Sequence, residues 1–146
     1  MTETTIIEIG ANADRSSDAD MIAAFSIRRA VFCVEQGVSE SEEIDGKDDQ
    51  CRQFLAFTSG IAIGTARTRL LASGDTKIER VAVLKPHRRS GIGRELMIHI
   101  MDNASSNMVL NAQIAVKLFY MELGFVAEGP VFEEANIEHI HMTYKA

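Results

Sequence analysis

A chain of 146 residues, 46% of them hydrophobic and 25% charged, has the material for a continuous core and lacks the polar bias of a disordered chain. Its formal net charge of −6 argues against a nucleic-acid partner, because a phosphate-binding surface needs a basic balance. No run approaches the roughly 18 apolar residues of a membrane helix, and the opening MTETTIIEIG has no basic region followed by an apolar one. A single domain over residues 1–146, cytoplasmic and without a membrane partner, is therefore expected. Cys33 and Cys51 lack CxxC spacing and further cysteine partners, and read as reduced thiols in or near the core.

In chain order, Thr4 to Ile9 is rich in β-formers, and Ser17 and Asp18 stand as caps of a helix from about Ala19 to Val34. Ile22, Phe25 and Phe32 recur near helical spacing and predict its buried stripe, with Arg28 and Arg29 on other parts of its surface. Ser39 to Asp49 sets Glu40, Glu42, Glu43, Asp45, Asp48 and Asp49 against Lys47 alone, and reads as a loop or short polar helix with a solvated acidic face. The alternating acids of a calcium loop are missing, and no metal is expected. Gln53 to Phe57 and Ile61 to Leu70 flank Ser59-Gly60 as a hairpin, and a turn at Ser73-Gly74-Asp75 leads into a third antiparallel strand, Thr76 to Leu84.

After Pro86 the period changes from two to near four, with Ile92, Leu96 and Ile100 on one stripe and Met97 and Met101 beside it. Met108 to Leu110 is a short strand, after which Asn111 is placed to cap a helix with a stripe of Ala112, Ala115, Val116, Phe119 and Leu123, closed by Gly124. Phe125 to Ala127 and Ile137 to Tyr144 are strands around a break at Gly129-Pro130. The order β α (α) β β β α β α β β places the chain in the α/β (α+β) class.

The chemistry concentrates in Ile78 to Met97, a strand, a basic turn, two close glycines and an amphipathic helix. Lys85, His87, Arg88, Arg89 and Arg94 make a positive patch in an acidic chain. Free N–H groups and the dipole at the helix start form an anion site, which Gly91 and Gly93 open to close approach and the arginines reinforce. A nucleoside-triphosphate loop would need Lys-Ser/Thr where Arg94-Glu95 stand, and a dinucleotide fingerprint a third glycine where Leu96 stands.

Arg88, Gly91 and Gly93 match in register the acyl-CoA turn Arg/Gln-x-x-Gly-x-Gly/Ala, and LNAQIAVKLFYMELGF, Leu110 to Phe125, is similar to the second signature of the same family. The sequence thus resembles the GNAT superfamily of N-acetyltransferases. IRRAVFCVEQGVSESEEID and FEEANIEHIHM resemble its small bacterial ElaA-like and YjcF-like branch. The resemblance implies a mixed, mostly antiparallel central sheet flanked by helices, acetyl-CoA as acyl donor, and direct transfer to a small-molecule or peptide amine. A homodimer is left open.

By the same resemblance, the pantetheine arm lies along Val81, Ala82 and Val83, with an oxyanion held by a strand N–H at or near Val81. The pyrophosphate lies over Arg88, Arg89, Ser90, Gly91, Ile92, Gly93 and Arg94, and Asn111, Phe119 and Tyr120 also touch the donor. Tyr120 matches the family's frequent general acid; it is about 100° round the helix from Phe119, off the expected core stripe and able to face a cleft. The plain alternative is a boundary tyrosine with its hydroxyl in water. Glu79 is the leading base, against a strand carboxylate paired with a neighbouring Lys or Arg. His139 and His141 alternate on one strand face as further base candidates or ordinary hydrogen-bonded histidines, His139 favoured for the acceptor site. Arg28, Arg29, Glu35 and Gln36 fall where the family's first helix walls the acceptor pocket, or are surface polarity on an amphipathic helix. A non-catalytic acyl-CoA-binding or regulatory module of the same fold, and an unrelated phosphate-binding protein, remain open on sequence alone.

Overall fold

In the computed structural model, which describes residues 3–146, the chain divides into two units. The first comprises the residues up to Thr68 and Arg80–Asn103, the second Arg69–Glu79 and Ala104–Ala146. Among the described residues seven strands, β1 (Thr4–Glu8), β2 (Arg52–Thr58), β3 (Ile61–Leu70), β4 (Thr76–Val83), β5 (Met108–Gln113), β6 (Val126–Glu134) and β7 (Ile137–Tyr144), follow the order β1-β2-β3-β4-β5-β7-β6 in a mixed sheet. The helices are α1 (Ser17–Arg28), α2 (Glu40–Glu43), α3 (Ile92–Asp102) and α4 (Lys117–Glu122). The element order is the one the sequence predicts.

In the first unit β1, β2 and β3 are antiparallel, with Ile7 opposite Leu55 and Leu55 opposite Thr65. Phe54, Leu55 and Ala56 are all buried, so β2 is covered on both faces. Leu55 and Ala82 meet Ala24, Ile27 and Val31 of the first helical segment. On the other face a Cβ at Gly64 would lie 3.2 Å from Leu96 Cδ1 and 3.4 Å from Ala56 Cβ, so the glycine lets α3 approach β3 closely. Ile92, Leu96, Met97 and Ile100 are buried, in agreement with the predicted phase of α3.

The first helix departs from expectation. Its cap is Ser16, whose Oγ accepts from Ala19 N, rather than Ser17 or Asp18. Beyond Arg28 it widens into a π-helix, Arg29–Glu35, marked by the bond from Gln36 N to Val31 O at 3.1 Å. Ile22 is 70% exposed, while Ala24, Ile27 and Val31 form the buried stripe and Arg28 is 1% exposed. Ile22 misleads because small Ala24 is the residue that fits against the sheet, while Phe32 packs half-buried against the same cluster, and the wider turn alters the phase after residue 28.

In the second unit β5 pairs antiparallel with β7 from Met108↔Tyr144 to Gln113↔His139, and β7 pairs antiparallel with β6. Thr76 and Lys77 of β4 run parallel to Met108 and Val109. The hairpin turn lies at Ala135 and Asn136, both at positive φ, whereas Gly129-Pro130 sits in a bulge within β6 rather than breaking it. Strand β5 runs on through Gln113, so Asn111 caps no helix; a 3₁₀ turn (Ile114–Val116) precedes α4. Ala115 and Val116 are consequently exposed, Phe119 is half-buried, and Tyr120 turns inward. Gly124 follows α4 at φ +102°, the left-handed terminator expected.

Candidate active site

Strand β4 leads through a 3₁₀ turn, Lys85–His87, whose Pro86 fixes φ at the point where the chain leaves the sheet. Arg88 is extended, Arg89 lies at φ +63°, and Gly91 caps α3 at φ +86°. Ser90 Oγ donates to His87 O at 2.6 Å, closing the turn on itself. No side chain caps α3, and its first backbone bond runs from Glu95 N to Gly91 O. The amides of Ile92, Gly93 and Arg94 therefore have no acceptor inside the helix. A Cβ at Gly91 would meet nothing within 4 Å, so the approach to these amides is open. Arg89, Ser90 and Arg94 are exposed around them, while buried Ile92 anchors the helix start. An anion with two or more oxygens fits this cradle.

Arg88 has a different place from Arg89 and Arg94. Its Nε donates to Val83 O at 2.8 Å and its two terminal nitrogens grip Glu35 at 2.5 and 2.7 Å. The hydrogen bonds from Arg88 hold the Glu35 carboxyl below its ordinary value. Glu35, at the end of the π-helix, thus fixes the arginine of the turn, and Gln36 follows it half-buried.

Arg28 is not at the surface. Its Nε donates to Glu43 Oε1 and its Nη1 to Asp48 Oδ1, both at 2.6 Å. Arg67, at 0% exposure, bonds Asp45 and Asp48 at 2.6 and 3.0 Å. Arg80 lies 3.2 Å from Glu43 Oε1 and 3.5 Å from Asp45 Oδ2. The expected solvated acidic face is thus partly an interior: Glu43, Asp45 and Asp48 face three guanidiniums. Gln53 and Thr68 are also buried. The hydrogen bonds from Arg67 hold Asp45 well below the usual carboxylate range. Burial pushes Asp48 up, but hydrogen bonds from Arg28 and Gln53 outweigh it and the net direction is down.

A pH dependence follows. With folded values below the unfolded one, these aspartates contribute stability that is present above the unfolded carboxylate value, about 4, and lost as pH falls through the folded values. Thermal melts are expected to show Tm falling below about pH 4, with a shallower fall in Arg67→Met. Equal acid slopes in the two proteins would contradict the assignment to Arg67.

In the second unit Tyr120 is 8% exposed, packed edge-on against Phe119 and Phe125 at centroid distances of 5.0 and 6.1 Å. It neither stands off the core nor sits at a boundary, and burial raises its phenol well above the ordinary value. Glu79 pairs with Arg69 at 3.3 Å and Lys77 at 3.4 Å, the paired-carboxylate alternative. Asn111, inside β5, accepts through Oδ1 from His141 Nδ1 at 2.9 Å. His139 is buried, stacked on Phe132 at 5.9 Å, with Nδ1 2.7 Å from Ile137 O. A carbonyl only accepts, so Nδ1 carries the proton and Nε2 is the basic nitrogen of the neutral ring. Glu134 lies 3.7 Å from that Nε2.

Of the three arginines, only Arg28 is singled out from sequence, and the surface placement expected for it is wrong. The signal was available at Arg67, which shares alternation parity with Ile63 and Thr65 in an apolar strand. A buried arginine there demands carboxylates, and the acidic loop supplies them.

The model of the acetyltransferase (GNAT) domain matches residues 16–146. The chain belongs to the GNAT acetyltransferase family. It is 34% identical over 124 residues to the uncharacterized N-acetyltransferase YjcF of Bacillus subtilis, covering 82% of this chain and 88% of that one. The crystal structure of Escherichia coli ElaA superposes with a TM-score of 0.82 at 25% identity, covering 99% and 100% of the two chains. An acyl-CoA N-acyltransferase from Pseudomonas aeruginosa gives 0.80 at 26% identity, covering 98% and 99%. The GNAT fold and the ElaA-like, YjcF-like branch are those the motifs indicate. Acyl-CoA-dependent acetyl transfer is the activity class that family and fold support. Among the described residues no helix is long and apolar enough to cross a membrane.

Proposed function

We propose that this GNAT protein transfers the acetyl group of acetyl-CoA to a primary amine of a small molecule in the cytoplasm. The observation that carries the reading is the start of α3, where a left-handed glycine cap leaves the helix amides without a side-chain partner. Arg89 and Arg94 add charge to the pyrophosphate there, and Arg88 holds the turn in shape through Glu35 and Val83 O. The backbone N–H at Val81 stabilises the oxyanion as the amine nitrogen bonds to the carbonyl carbon and the carbon–sulfur bond breaks. Tyr120, kept in its protonated form by burial, returns a proton to the departing thiolate.

For the base, the Glu79 carboxylate is already engaged in ion pairs with Arg69 and Lys77. His139, whose Nε2 is the unprotonated ring nitrogen and lies 3.7 Å from Glu134, is the better candidate for taking the proton of the amine. Glu43, Asp45 and Asp48 are occupied by arginines and do not recruit a cationic acceptor. Glu133 and Glu134, exposed on β6 near His139, support one.

The burial of Tyr120 and the ion pairs of Glu79 favour a second reading, an acyl-CoA-binding or regulatory module without turnover. Acetyl-CoA raises Tm under either reading. An amine-panel assay for free CoA thiol separates them, since only an enzyme releases thiol in proportion to added amine. Tyr120→Phe is expected to lower kcat roughly 10- to 100-fold with little change in acetyl-CoA binding. Unchanged turnover across pH in this variant would assign thiolate protonation to another group.

A further inference from the structure

Arg80 breaks the pattern of β4: inside the strand it lies at φ +57°, a left-handed conformation that a side chain disfavours. Its guanidinium reaches the carbonyl oxygen of Glu43 at 3.1 Å, the carboxylate of Glu43 at 3.2 Å and that of Asp45 at 3.5 Å. Glu43 Oε1 is shared with Arg28 of α1, and Asp45 and Asp48 are gripped by Arg67 of β3. The partners of Arg80 are thus themselves fixed from α1 and β3. Three guanidiniums face three carboxylates, so the cluster is balanced in charge and its side chains are engaged with one another.

We propose that this ion cluster is a positioning device for the reaction: by clamping Arg80 in its left-handed conformation, it sets the direction of the next peptide group, whose N–H belongs to Val81. Rotation about the Cα–C bond of Arg80 orients that N–H, and a left-handed residue turns it away from the regular ladder direction. Glu43, Asp45 and Arg28 act through Arg80 and touch no substrate. The inference rests on the acetyl-transfer reading in giving the Val81 N–H an oxyanion to meet.

Arg80→Gly is the decisive variant, because glycine adopts φ +57° without strain while the guanidinium that ties the residue to Glu43 and Asp45 is removed. Hydrogen exchange of the Val81, Ala82 and Val83 amides is expected to rise about tenfold or more, with the Phe54 to Ala56 amides unchanged. In the amine-panel assay kcat is expected to fall about tenfold or more while the acetyl-CoA KM stays within about threefold, and Arg80→Lys to recover part of the rate. Asp45→Asn, which loosens the same clamp from its other end, is expected to move both readouts in the same direction.

Wild-type exchange in Arg80→Gly would overturn the proposal, and so would raised exchange with kcat within about twofold, which would make the cluster a structural brace only. A wild-type protein that binds acetyl-CoA yet releases no thiol with any amine would contradict the transfer reading instead. In that case the exchange measurement still decides whether the cluster sets the Val81 peptide.

Discussion

Gly91→Glu is expected to abolish measurable acetyl-CoA binding, while Gly91→Ala weakens it less than about tenfold. Both substitutions carry the strain of a side chain at φ +86°, about 1–2 kcal/mol, and the Cβ of either would meet no neighbour within 4 Å. Only the glutamate adds a negative charge to the cradle. One like-charge contact at about 5 Å, with an effective dielectric near 20, opposes binding by roughly 3 kcal/mol, more than a hundredfold in affinity. Calorimetric titration of acetyl-CoA into both variants separates charge from strain. Equal loss in the two would assign the effect to the backbone conformation and contradict an anion site at α3.

The second large effect is on stability. Arg28→Ala leaves the carboxylates of Glu43 and Asp48, 4% and 12% exposed, without their closest guanidinium. Removing one partner of a buried pair costs about 3–5 kcal/mol, which for a chain of this size lowers Tm by roughly 10–20 °C. The deficit is expected to shrink on acidification, since protonation neutralises the orphaned carboxylates. Arg29→Ala provides the contrast: its pair with Glu40 is 69% and 65% exposed, and exposed pairs contribute little. Differential scanning calorimetry of the two variants at neutral and acidic pH tests the difference. A similar small Tm change in both would mean that the interior cluster contributes no more than a surface pair.

These two residues mark what could be read from the sequence. The donor turn was legible because its signals are local: a proline ending the strand, arginines before the glycines, and an apolar period that starts at Ile92. Each constrains backbone or charge within a few residues of itself. Arg28 was not legible, because its partners Glu43 and Asp48 stand 15 and 20 residues away and pairing them requires the fold. The π-helical turn after Arg28 also defeats a search for a 3.6-residue period.

Tyr120 failed for another local reason. Asn111 as a cap starts the helix five residues before α4 begins at Lys117, and the face expected for Tyr120 turns outward. The family motif places Tyr120 in the chemistry, and the fold places it among Phe119 and Phe125; turnover of Tyr120→Phe brings the two together. At His139 the alternation along β7 was right, but the tautomer depends on the carbonyl of Ile137 and needed coordinates.

The most direct test of the donor site is an amide NMR titration of the wild-type protein with acetyl-CoA. The largest shifts are expected at Gly91, Ile92, Gly93 and Arg94, where the helix amides meet the pyrophosphate, with Ile92, Gly93 and Arg94 unmoved in Gly91→Glu. Saturable binding that leaves these amides of the wild-type protein unshifted would contradict the account.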